Sequence, residues 1–99
     1  MTYAYTGTMR AQPGRRDDVI KLLLRDQSPL SEIGCRSYLV GTNDEHPDLI
    51  YVSEVWDSKQ AHDDSLQLPS VKAAIAEAMP LLTGEFNGHE FTVAGGLGS

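Results

Sequence analysis

Apolar and polar residues alternate along the first part of this chain and then recur at helical spacing, which separates it into a short series of elements. Residues 2 to 10 set Tyr3, Tyr5, Gly7 and Met9 against Thr2, Ala4, Thr6 and Thr8, the period-two pattern of a strand. Gly7 inside it marks a bulge or a place where something approaches the backbone closely. Pro13-Gly14 breaks the strand, and the apolar stripe Val19, Ile20, Leu22, Leu23 and Leu24 predicts a helix over residues 14 to 27. Asp17 and Asp18 suit its positive N-terminus, whereas Arg15 and Arg16 oppose it. Ser28-Pro29-Leu30-Ser31 ends that helix, because the residue before a proline disfavours the α region. A second strand is expected over 33 to 41. A polar connection over 42 to 48, with Asn43, Asp44 and Pro47, is short enough for a hairpin into a third strand over 49 to 56.

The third strand organises the rest. Leu49, Tyr51 and Val55 lie on one alternating set and Ile50, Val52 and Trp56 on the other, so both faces are apolar and the strand should lie between two layers of protein. Beyond Trp56, Asp57-Ser58 can cap a short helix reaching about Leu66. Pro69 suits the first position of another, because its missing N–H would lack a partner there anyway. Val71, Ala74, Ile75, Ala78, Met79 and Leu82 continue at helical spacing until Pro80 kinks or ends the run. A last strand over 85 to 94 alternates most clearly in His89, Phe91 and Val93. Asn87-Gly88 has too little strand before it for a hairpin and reads as a bulge or irregular entry. These elements make one domain over 1–94, with a flexible C-terminal tail over 95–99.

Strand, helix, strand, strand, helix, strand with short links gives an α+β fold, an antiparallel sheet with helices on one face. The strands are apolar on both faces, so the uncovered face needs a second sheet. With none left in the chain, a symmetric partner is the economical source, and a homodimer through the sheet faces is expected.

Composition narrows the function classes only a little. Ninety-nine residues, 40% hydrophobic and 22% charged, describe an ordinary globular domain. A formal charge of −6 and scattered basic residues argue against nucleic acid and against an anionic membrane surface. No apolar run approaches the roughly 20 residues of a membrane span. The opening Met1-Thr2-Tyr3-Ala4 lacks signal-peptide character and Cys35 is the only cysteine, so a cytoplasmic location is expected. No phosphate loop, dinucleotide fingerprint or zinc motif is present.

The run Ser53-Glu54-Val55-Trp56-Asp57-Ser58, with Ala61-His62, the segment 66 to 71 and a helix ending near Met79-Pro80-Leu81, resembles the antibiotic biosynthesis monooxygenase-type domains. So does the opening strand followed by Gln12-Pro13-Gly14-Arg15-Arg16. The resemblance extends to about Val93. It implies a ferredoxin-like βαββαβ chain paired into a dimeric α/β barrel, and a family that includes cofactor-independent quinol oxygenases, haem degraders and domains without assigned activity.

Candidate chemistry centres on the end of the third strand. Trp56 either plugs the core or walls a pocket for a flat aromatic, with its N–H as a directional donor. His62 either lies on the surface or lines the pocket, where a neutral imidazole can accept a phenolic proton. Glu54, if it faces the helices, is a buried carboxylate that forms a salt bridge or acts as a base with a raised pKa. The chain departs from the family pattern twice. The pocket histidine often stands three residues further on, at Ser65 here, and some oxygenases carry an amide four residues before the tryptophan, at Val52 here. His62 is thus the catalytic candidate, and Trp56, Glu54, Val52, Ser65 and Met79 the substrate-binding ones, with no metal site. The expected function is a cofactor-independent monooxygenase acting with O2 on a small aromatic such as a quinol or polyketide-like phenol. The alternatives are a haem-binding and haem-degrading enzyme with His62 as axial ligand, or a non-catalytic dimer that binds a small ligand.

Overall fold

The computed structural model describes residues 2–97. Four strands, β1 (Tyr3–Ala11), β2 (Cys35–Gly41), β3 (Leu49–Trp56) and β4 (Leu82–Thr92), form one antiparallel sheet in the order β2-β3-β1-β4. Helices α1 (Arg16–Leu23) and α2 (Ser28–Glu32) join β1 to β2. Helices α3 (Lys59–Ser65) and α4 (Pro69–Ala78), with a 3₁₀ turn at Met79–Leu81, join β3 to β4. This is the ferredoxin-like α+β arrangement expected from the sequence. Residues 98 and 99 of the anticipated tail lie outside the described residues. No described helix is long and apolar enough to cross a membrane.

Several boundaries differ from expectation for local reasons. The first helix is eight residues rather than fourteen. Its end tightens where the Arg25 amide bonds the Leu22 carbonyl, and Asp26 then turns the chain with φ 41°. Pro29 does not leave an irregular link. It sits in the first turn of α2, where its missing N–H costs nothing, and the Ile33 amide closes that helix on Leu30, so β2 starts at Cys35 rather than 33. The last strand begins at Leu82 rather than 85. Its pairing with β1 shifts between Met9–Phe86 and Ala11–Leu82, which leaves extra residues on β4 around Gly84, at φ 91°. Asn87-Gly88 lies in regular strand opposite Thr8 and Gly7. Pro80 does end the α4 run, through the 3₁₀ turn.

The two sides of β3 have different fates. Ile50, Val52 and Trp56 face the helices and are buried, while Leu49, Tyr51, Ser53 and Val55 face the other way and are partly covered. On that open face Leu39 and Phe91 are 64% and 52% exposed. Under the helices the core divides into two clusters. Val19 of α1 and Ala78 of α4 pack on Ala11, Ile50, Val52 and Leu82 at one end, and Leu30 of α2 packs on Tyr3 and Trp56 at the other. Gly7 and Gly88 face each other across β1 and β4, and the Tyr5 side chain leans over both, its hydroxyl 2.8 Å from where a Gly7 Cβ would stand.

Candidate functional site

Between the aromatic end of the sheet and the helices lies a cavity of about 220 Å³. The β3 side chains Glu54 and Trp56 and the β2 side chain Tyr38 form its floor, and His62, Ser65 and Leu66 close one side. Val71 and Ile75 of α4 and the Arg25-Asp26-Gln27 link between α1 and α2 complete the walls. Most of the lining is apolar, with polar groups gathered on the floor and beside it.

The position of His62 follows from a helix start fixed by the sequence. The Ser58 hydroxyl accepts from the Ala61 amide at 3.1 Å and caps α3 two residues after β3 ends. Gly34 accepts from the Asp57 amide at 2.8 Å, which ties the turn to the start of β2. One turn into α3, His62 folds back over the sheet among three aromatic rings. Tyr3 lies 5.2 Å away between ring centroids, Tyr5 stacks at 6.4 Å, and Trp56 meets it edge-on at 5.6 Å.

Three polar groups form the centre of the site. The Trp56 indole N–H donates to Glu54 Oε1 at 3.0 Å. The same oxygen stands 4.0 Å from His62 Nε2, and the two side chains are only 13% and 19% exposed. Burial pushes the Glu54 carboxyl above its ordinary pKa, partly offset by the indole N–H and by His62. Across the β2–β3 register from Glu54, burial and then the Glu54 charge raise the Tyr38 hydroxyl, which keeps it a donor over the working pH range. Tyr3 donates to Glu90 Oε2 at 2.9 Å; burial, then that bond, push its phenol up to about 12. Outside the cavity wall, Arg25 and Glu77 form an ion pair at 2.5 Å between the α1–α2 link and α4.

The structure therefore brings together His62, Trp56, Glu54 and Ser65. Trp56 is buried to 1% exposure and lines the cavity, with its indole N–H taken by Glu54. Ser65 presents little chemistry, because its buried hydroxyl donates to the His62 carbonyl. Two of the anticipated residues stand apart. Val52 packs in the aliphatic cluster with Ile50, and Met79, carried into the 3₁₀ turn that precedes β4, is half exposed and outside the wall. From sequence Tyr38 is, with Tyr3, Tyr5 and Tyr51, only a weak candidate for orienting a ligand hydroxyl, since strand tyrosines usually pack at an interface, and the link 25–27 is not singled out. Tyr38 becomes recognisable once the hairpin register sets it opposite Glu54. The link has no signal in the residue pattern, since its wall depends on the turn at Asp26. Among the described residues no group of three or more His, Cys, Asp or Glu is arranged to hold a metal ion.

An antiparallel four-stranded sheet covered on one face by two helical arms, with an aromatic-lined cavity at the end of its inner strand, defines a small α+β domain. Residues 2–77 match the family model for antibiotic biosynthesis monooxygenase, and the chain belongs to that family. A putative antibiotic biosynthesis monooxygenase from Chloroflexus aurantiacus is 43% identical, with 97% of this chain and 96% of that one aligned at a TM-score of 0.86. A protein of the same description from Deinococcus radiodurans is 26% identical, over 98% and 96% of the two chains, at a TM-score of 0.78. Rv0793 from Mycobacterium tuberculosis, 20% identical over 98% and 99%, shares the fold at a TM-score of 0.82. Among functionally curated proteins, none matches the sequence.

Proposed function

We propose that this protein is a monooxygenase that oxidises a small electron-rich phenol or quinol with O2 in the cavity above Trp56, without a bound cofactor, as a homodimer. The observation that carries this reading is the 4.0 Å approach of His62 Nε2 to Glu54 Oε1 in a mostly apolar cavity. A hydroxyl oxygen beside that pair, off the line that joins them, is within hydrogen-bond reach of His62 Nε2. His62 takes the phenolic proton. Glu54, the carboxylate beside it, stabilises the imidazolium that forms. The apolar walls hold the ring flat and exclude water.

The phenolate is then the reductant. It passes one electron to O2, the radical pair joins through a new C–O bond at a ring carbon that still bears hydrogen, and the O–O bond breaks as that hydrogen is lost. One oxygen atom remains as a quinone carbonyl and the other leaves as water, so the phenol and O2 yield a quinone and H2O. At about 220 Å³ the cavity is smaller than the roughly 300–1,000 Å³ of drug-sized ligand sites, which suits one or two fused rings better than haem.

The dimer reading rests on the uncovered face that carries Leu39, Tyr51, Val55 and Phe91, an apolar surface suited to a second sheet. Tyr51→Asp is expected to give monomer or aggregate by light scattering, and a monomeric wild type at micromolar concentration would end this part. For the activity, purified protein is incubated with a panel of naphthols, anthrones and hydroquinones while O2 uptake and quinone absorbance are followed. Stoichiometric O2 uptake without added cofactor supports the reading. No uptake with any of them, together with a Soret band on haem titration, would transfer the protein to the haem class.

A further inference from the structure

We infer that Asp63 is a positioning residue, holding neutral His62 in the tautomer that carries its proton on Nδ1 and turns the Nε2 lone pair toward the cavity. The inference deepens the proposed function, since a base that must accept a phenolic proton at Nε2 needs that nitrogen unprotonated. It rests on how differently the two ring nitrogens are surrounded. Nδ1 lies 3.2 Å from Asp63 Oδ1, within hydrogen-bond distance, whereas Nε2 is 4.0 Å from Glu54 Oε1, too far for a direct bond.

A neutral imidazole has one N–H and one acceptor nitrogen. With the proton on Nδ1, it is donated to Asp63 and the lone pair is left free where a substrate hydroxyl donates. With the proton on Nε2, the Nδ1 lone pair would oppose a carboxylate oxygen at 3.2 Å, two acceptors in contact, while the N–H pointed at an oxygen beyond its reach. Glu54 Oε1 is moreover already engaged by the Trp56 indole. Tyr3, Tyr5 and Trp56 pack around the imidazole and hold its plane. The charged groups facing His62 are Glu54 from β3 and Asp63 on its own helix.

Asp63 is free for this task. Its neighbour Asp64 is taken by Gln60 at 2.8 Å, whereas among the described residues the Asp63 carboxylate makes no hydrogen bond except the one with His62. Its side chain is 50% exposed, so screening limits the electrostatic contribution and direction, more than charge, is what it supplies. The residue next to the base in sequence therefore acts on it from the solvent side, while the substrate approaches from the other.

The tautomer is read directly by NMR of protein labelled with 15N at its histidine rings, since a protonated and an unprotonated ring nitrogen differ strongly in shift. The chain has only His46, His62 and His89, and His62→Ala assigns the signal. In mildly alkaline buffer, wild-type His62 is expected to show a protonated Nδ1 and an unprotonated Nε2. Asp63→Ala should move the signals toward the opposite tautomer, and Asp63→Asn, which keeps a carbonyl acceptor in reach, should retain the wild-type pattern. With a substrate in hand, Asp63→Ala should lower kcat about two- to fivefold, the size expected of an exposed charged pair, with KM little changed. A wild-type signal showing protonated Nε2, or an Asp63→Ala spectrum identical to wild type, overturns the assignment. The spectrum is recorded without substrate. A lack of oxygen uptake beside the expected spectrum would therefore overturn the proposed reaction and leave the tautomer standing.

Discussion

The two ends of the layer between sheet and helices are built from one strand and do opposite things. Ile50 and Trp56, both fully buried on the same face of β3, are six positions apart, or roughly 20 Å at strand rise. Around Ile50, side chains of α1 and α4 meet Ala11, Val52 and Leu82 with no polar group among the buried set. Around Trp56 the cover is shared among the short helices α2 and α3 and the first turns of α4, and they do not close over the sheet. What remains is a cavity on whose floor the Trp56 indole N–H is satisfied by Glu54. A single sheet thus carries a closed aliphatic core at one end and an open cavity at the other. The division is set by where the helices break.

Substitutions at the two ends should separate turnover from stability. The largest effect expected is on turnover: His62→Ala should cost about 10²- to 10⁴-fold in kcat, the range of general-base assistance, while leaving the urea midpoint nearly unchanged. A variant with full turnover would remove His62 from the reaction. Ile50→Ala at the closed end should do the reverse, costing roughly 2–5 kcal/mol of stability by urea titration. Its kcat should stay near wild type below the unfolding transition. Equal loss of activity at both ends would erase the distinction.

The smallest effect sharpens the comparison through pH. Burial raises the Glu54 carboxyl, so the folded protein holds that proton more tightly than the unfolded chain does. Its contribution is greatest below the ordinary carboxylate value, about 4.3, and declines as pH rises through the window up to the raised value. Glu54→Gln keeps an acceptor for the indole and removes the titration. The wild type should therefore lose stability relative to this variant across that window and run parallel to it above. A difference that does not vary with pH would mean Glu54 is not held in its protonated form by the fold.

Much of this was legible in the sequence because it depended on repetition. The alternation in β1 and β3 set the sheet, and both ends of β3 were marked by turn residues at His46-Pro47-Asp48 and Asp57-Ser58. The same alternation put Glu54 and Trp56 on one face, and Ser58 announced the helix that brings His62 back to them. What could not be read depended on single backbone angles or on register. Pro29 reads as a stop and proves to be a start, because the turn at Asp26 comes before it. Met79 fits the helical stripe until the 3₁₀ turn rotates it away, and Tyr38 gains meaning only from the residue opposite.

The facing glycines of β1 and β4 give the sheet's outer edge an influence on the site. An edge strand is ordinarily the part of a sheet freest to vary, because its outer side touches only solvent. At position 88 that freedom is lost, since a methyl group there would occupy the space already filled by the Tyr5 ring and hydroxyl. The ring would have to swing, and its nearest aromatic neighbour is the imidazole of His62, 6.4 Å away. One added carbon on the rim would thus be transmitted through a pivoting tyrosine to the His62 ring, which lines the cavity.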